Sequence, residues 1–206
     1  IISRCQSFSF RKPGIPVLRD IVLEIGKKEG FAIESVAAEL IALLGDGSFR
    51  DSEVMLQKVL SSASGKKVSL KDVEEISGAP RSETVNDVVR GLHERDAEVA
   101  LFAISQATKN AVDMTVFTRL VLQKLRAVLL LRYAPGMRAD LARDFSEHDF
   151  TFLTSTADNK PSGIDSKAVA LFLEAGDQIG HSAMAALPLE LAVMKLLGQN
   201  NTTNEA

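Results

Sequence analysis

The chain has a single cysteine, Cys5, among its 206 residues. It therefore holds no internal disulfide framework, and Cys5 itself reads as a buried small hydrophobe in a protein of a reducing compartment. Only three histidines are present, His93, His148 and His181, too far apart in sequence for a metal-ligand set. The longest apolar run, around "AVLLLRYA", falls well short of the roughly 18–20 residues of a membrane span. No secretory or transit segment is recognisable. A net charge of −3 gives no reason to expect nucleic acid to bind the surface as a whole. There is no glycine-rich phosphate loop, no histidine pair at helical spacing and no cysteine–histidine arrangement. These absences point to a soluble, cytoplasmic chain with no membrane partner, and not to one that catalyses a reaction by itself.

What is present is mostly helical periodicity. Apolar residues make up 46% and charged residues 25%, the balance of an ordinary globular protein long enough for one large or two small cores. Phe8 and Phe10 alternate with Ser7 and Ser9, the period of a half-buried strand, and Pro13, Gly14 and Pro16 stop it. Val17, Leu18, Ile21, Val22 and Ile25 then form one helical stripe, ended by Gly26 or Gly30. Val36, Ala37, Leu40, Ile41 and Leu44 form a second, between Glu34-Ser35 and Gly45. Val54, Leu56, Val59 and Leu60 form a third, starting near Ser48. Ser61–Lys67 reads as a turn, and Ser69 with Asp72 as the cap of a short fourth helix.

A second block begins at Ala79-Pro80, with stripes at Val85, Val88, Val89, Leu92 and at Val99, Leu101, Phe102, Ile104. Met114–Tyr133 is apolar on most sides, with Arg119, Lys124, Arg126 and Arg132 spaced through it, as in a helix central to its bundle. Thr156–Gly163 reads as a loop, Ile164–Ala175 or beyond as a helix, and "LPLELAVMKLL" as the last helix, with Pro188 in its first turn. Gln199–Ala206 reads as a polar tail or linker. The expected fold class is all-α with a strand remnant at the N-terminus. The expected divisions are residues 1–13 as the end of an earlier domain, 14–78 as a small helical domain, 79–198 as a larger one and 199–206 as the tail. On this reading the chain is a C-terminal part that lacks its beginning.

Two arginines draw attention. Arg4 lies in the triplet "SRC" just before the alternating strand. Arg50 lies in "GDGSFRD", and with Ser48 as N-cap it occupies the second helical position, beside backbone N–H groups that have no partner within the helix. Such a helix start favours an anion, and a guanidinium adds a permanently charged fork suited to phosphate oxygens. The plainer alternative is that Ser48 and Asp51 cap the helix and Arg50 is solvated.

"SRC" with "QSFSFR", "AAELIALLGDGSFRD" and the helix "GDGSFRDSEVMLQKVL" resemble the tau/gamma subunits of bacterial DNA polymerase III, the motors of the sliding-clamp loader. "SLKDVEEISGAP" is similar to the segment closing that family's lid domain, and "LPLELAVMKLL" to the last helix of its collar domain. The resemblance covers nearly all of residues 1–198. It implies an AAA+ helical lid domain over 14–78, carrying sensor 2, followed by a collar domain over 79–198 that holds subunits in a ring. It also implies that Arg4 is an arginine finger acting in trans on a neighbour's ATP, positioned by Ser3 and Cys5, and that Arg50 is the sensor 2 arginine on the ATP of its own subunit. The implied activity is ATP-dependent loading of the sliding clamp onto primed DNA, by a parent protein that is an ATPase and a subunit of a DNA-directed DNA polymerase.

The implied cofactor is ATP with Mg2+, and the implied partners are the other loader subunits, the clamp and primed DNA. The Walker A and B residues, sensor 1 and the family's zinc-binding cysteines would lie upstream of Ile1. Glu53 departs from the family, which favours a more apolar residue there. Two other readings stay open: a non-hydrolysing delta-prime-type loader subunit, against which Arg50 in a sensor 2 context argues, and a helical scaffold that binds a partner through Met114–Tyr133. Direct DNA contact has weak support, since residues 14–80 hold 8 Lys/Arg against 11 Asp/Glu.

Overall fold

The computed structural model describes residues 12–63, 65–159 and 161–198. These are all-α apart from one two-stranded pairing, and they separate into two compact units between Ile76 and Ser77. The alternating segment around Phe8 and Phe10, the triplet holding Arg4 and the tail from Gln199 lie outside the described residues.

Unit 1 is built on three helices. Helix α1 (Ile15–Lys28) carries Pro16 in its first turn and Lys27 and Lys28 in its last, where the missing N–H does no harm and the cations meet the negative end of the helix dipole. Gly26 does not end this helix. It lies buried inside it, because a Cβ there would collide with Ile33. Gly30, at φ +76°, makes the turn that follows. Helix α2 (Ser35–Leu44) runs between Glu34 and Gly45, and α3 (Phe49–Ser62) starts at a Ser48 cap. The core gathers Leu18, Val22, Ala37, Leu40, Ile41, Leu56 and Val59. Val17 and Val54 are 50% and 59% exposed, so neither belongs to the stripe that its spacing suggests.

Two strands absent from the sequence reading tie these helices together. Strand β1 (Ala32–Ile33) pairs in parallel with β2 (Lys67–Val68), through Ala32 N–H to the Lys66 carbonyl at 2.7 Å and Glu34 N–H to the Val68 carbonyl at 3.0 Å. Two-residue strands are too short to show a period. Helix α4 (Leu70–Ser77) follows, opened by a reciprocal cap. The Asp72 carboxylate accepts from Ser69 N–H at 2.7 Å, and Asp72 N–H donates to the Ser69 hydroxyl at 3.4 Å.

Unit 2 contains α5 (Ser82–Glu94), α6 (Ala97–Lys109), α7 (Met114–Tyr133), a 3-10 turn at Pro135–Met137, α8 (Arg138–Leu141), α9 (Glu147–Asp158), α10 (Ser166–Ile179) and α11 (Leu187–Leu197). Helix α7 is the central one: α5, α6, α9 and α10 all pack against it, around Phe117, Val121, Leu125 and Val128, which are 0% exposed. Asp96, Asp113, Ser146 and Asp165 cap α6, α7, α9 and α10 through their side chains. Two expectations fail here. Thr156–Asp158 are the last turn of α9, not loop. Phe102 is 62% exposed, and α6 instead buries Ala100, Ala103, Ile104 and Ala107, because small side chains let α5 and α6 approach closely.

Candidate functional site

The start of α3 follows from a short run of backbone requirements. Gly45 caps α2 and is buried; a Cβ at that position would run into Ser52. Asp46 and Gly47 both take positive φ, +44° and +78°, and reverse the chain. Ser48 N–H closes the turn onto the Gly45 carbonyl at 2.9 Å. The Ser48 hydroxyl then accepts from Asp51 N–H at 3.2 Å, and the Ser48 carbonyl accepts from the Ser52 hydroxyl at 2.9 Å. The segment before α1 reaches this turn as well, with Lys12 Nζ 3.9 Å from Asp46 Oδ2.

This geometry sets Arg50 one residue inside the helix. It is exposed, and it makes no hydrogen bond or ion pair with another described residue. Its guanidinium is therefore free to meet an anion beside N–H groups that lack intrahelical acceptors. Asp51 adds one opposing negative charge in the same turn. A phosphate group fits this donor set; the turn offers no second cation of its own beyond Lys12. The other arginine that the sequence singles out, Arg4, lies with Ser3 and Cys5 outside the described residues.

A polar cluster in unit 2 escapes the sequence reading. Lys124, in the middle of α7, points its ammonium at Asp149 Oδ1 (2.9 Å), Asn86 Oδ1 (2.7 Å) and the Ser82 hydroxyl (2.6 Å). Asp149 also accepts from the Ser82 hydroxyl at 2.7 Å and from the Asn86 amide at 2.8 Å. Burial by itself would raise the pKa of Asp149; the Lys124 charge and the hydrogen bonds from Ser82, Asn86 and Lys124 outweigh it and hold the carboxyl below its ordinary range. Every member is satisfied within the cluster, so it fixes α5, α7 and α9 to one another and offers no open position for a substrate. Lys124 is one of four cations on α7, and only its place on the buried side of that helix sets it apart from the arginines.

His93 makes a smaller polar contact. Its Nδ1 lies 2.9 Å from the Ser162 hydroxyl, and its carbonyl accepts from Gly163 N–H. Burial lowers its pKa, Glu94 works against this, and Arg132 adds to it. Among the described residues no group of three or more His, Cys, Asp or Glu could hold a metal ion, and no helix is long and apolar enough to cross a membrane.

No family model matches the chain. It is 27% identical over 143 residues to DNA polymerase III subunit tau of Bacillus subtilis, a match covering 69% of this chain and 25% of that protein. It is 41% identical over 80 residues to Protein STICHEL-like 1 of Arabidopsis thaliana, covering 38% of this chain and 7% of that one. The chain thus spans a quarter or less of the length of these relatives. Among solved structures, the DNA clamp loader delta protein of Bacillus subtilis has a TM-score of 0.43 at 18% identity, covering 92% of this chain and 58% of that chain.

Proposed function

We propose that this relative of DNA polymerase III subunit tau forms the lid and collar of a clamp-loader subunit, and takes part in the ATP-dependent loading of a sliding clamp onto primed DNA in the cytoplasm. Unit 1 is the lid and unit 2 the collar. The observation that carries this reading is Arg50: exposed, without a partner among the described residues and held at the second position of a Ser48-capped helix, in a chain similar to a polymerase III subunit.

On this reading Arg50 is the sensor 2 residue, and its guanidinium meets a phosphate of ATP bound with Mg2+ to its own subunit. ATP supplies the free energy that drives loading. Arg4 is the finger that enters the neighbouring subunit's site, where it stabilises charge on the transferring phosphoryl group. Ring assembly then becomes a condition for hydrolysis, since the two arginines on one triphosphate come from different subunits. The collar supplies the contacts that hold the ring. Leu187, Leu191 and Met194 of α11 are 38%, 43% and 50% exposed at helical spacing, an apolar stripe suited to a neighbouring subunit.

The test uses the complete subunit in a reconstituted loader. Arg50→Glu is expected to abolish ATP-driven clamp loading while the ring still assembles. Arg4→Ala is expected to lower ATP hydrolysis at the neighbouring site on the order of 10³-fold or more, as for other fingers supplied in trans. Loading left unchanged by Arg50→Glu removes the sensor assignment, and hydrolysis left unchanged by Arg4→Ala removes the finger.

A further inference from the structure

Unit 1 contains a cleft of about 540 Å³ beside α1 and α3, and its Glu53 lies one helical turn along α3 from Arg50. Ile25, Phe31, Leu56 and Leu60 give it an apolar lining, and Glu29 and Glu53 add two carboxylates. Both glutamates are exposed, and neither has an ion-pair partner among the described residues. The volume lies within the roughly 300–1,000 Å³ of binding pockets, room for a few side chains. Two unneutralised carboxylates disfavour phosphates and nucleic acid and favour a cation. The Phe31 ring already takes a cation: Lys66 Nζ lies 4.1 Å from its centroid, within the range of a cation–π contact.

The geometry points to this cleft as a docking site for a basic amphipathic segment of a partner protein, one that presents apolar side chains flanked by Lys or Arg. The apolar side chains enter against the half-buried Ile25, Phe31 and Leu60, and the flanking cations pair with Glu29 and Glu53. This is the helix-in-groove mode, in which apolar anchors give affinity and charged edges give orientation. The inference requires neither Arg4 nor Arg50 to meet a nucleotide.

The test measures fluorescence anisotropy of a labelled helical peptide of Leu, Phe, Ala and Lys, and of its counterpart with every Lys replaced by Glu, titrated with the full chain at about 0.15 M salt, where the Debye length is about 8 Å. The lysine peptide is expected to bind and the glutamate peptide not to bind. The double variant Glu29→Lys with Glu53→Lys is expected to weaken binding about tenfold or more, a change worth about 1.4 kcal/mol, and Leu60→Ser to weaken it separately. The matched reversal Glu83→Lys with Glu98→Lys, at exposed positions of unit 2, is expected to change binding less than about twofold. Equal weakening by both double variants reduces the effect to net charge and overturns the proposal, as does binding of both peptides alike or of neither. Self-association of the chain that disappears in Glu29→Lys with Glu53→Lys assigns the cleft to a second copy and overturns it too.

Discussion

Lys124 Nζ and Asp149 Oδ1 lie 2.9 Å apart within unit 2, their side chains 6% and 5% exposed. Ser82 and Asn86 each bond both members of the pair, so neither charge can lose its partner without leaving the other in a medium where desolvation is costly. Lys124→Met is expected to destabilise the full chain by about 3–5 kcal/mol, the usual consequence of stranding a buried charge. Lys124→Met combined with Asp149→Leu is expected to lose less than the sum of the two single variants, because no charge is then stranded. Urea unfolding of the four proteins, followed by circular dichroism, checks both statements; strict additivity would show that the pair is not coupled.

The same pair sets a pH dependence. Asp149 is more acidic in the fold than when unfolded, so at low pH the unfolded chain binds the proton first. The stability this contributes is present above the ordinary carboxylate range and is lost as pH falls through it toward the folded pKa. His93 acts in the same direction at higher pH: its pKa is lowered chiefly by burial, so protonation as pH falls below the ordinary histidine range also favours the unfolded chain. Urea midpoints between about pH 7 and pH 5 should therefore decline in the parent, and decline less in His93→Gln. A parallel decline in both proteins would remove His93 as a contributor.

The helices of both units were legible because their periods are long and their caps are explicit: Ser48, the Ser69–Asp72 pair and Pro188 stand where the structure uses them. What escaped depended on tertiary context. The β1–β2 pairing is made by four residues more than thirty positions apart, with no pattern of its own. Phe102 resembles a core residue, but α6 turns Ala100, Ala103, Ile104 and Ala107 inward instead, with Ala100 close against Gly91 of α5. Arg50 could be placed to the residue from Ser48, whereas Lys124 looked like one more cation on a long helix until Asp149, 25 positions on, was seen beside it.

That α5–α6 approach gives a sharp substitution. A Cβ on Gly91 would sit 2.6 Å from Ala100 N and 2.8 Å from the Asp96 carbonyl oxygen, both backbone atoms at the start of α6 that cannot rotate away. Gly91→Ala therefore forces the two helices apart and is expected to cost about 1–3 kcal/mol, as overpacking does, even though alanine has the higher helix propensity. Gly198→Ala, with nothing within 4 Å of the added carbon, serves as the comparison and is expected to leave the urea midpoint essentially unchanged. A neutral Gly91→Ala would mean that the helices have slack at this crossing.

Ser48 and Arg50 are two residues apart on one helix start, yet their substitutions should separate cleanly. The Ser48 hydroxyl accepts from Asp51 N–H, so Ser48→Ala leaves that donor without its cap and is expected to cost about 1 kcal/mol. Arg50 is exposed and has no partner among the described residues, so Arg50→Ala is expected to shift stability by no more than about 0.5 kcal/mol. A residue that the fold does not need, set by a cap that it does, is what a ligand-facing arginine requires. If Arg50→Ala unfolds the chain as readily as Ser48→Ala, the guanidinium is serving the fold, and any loss of clamp loading in that variant ceases to speak for a phosphate contact.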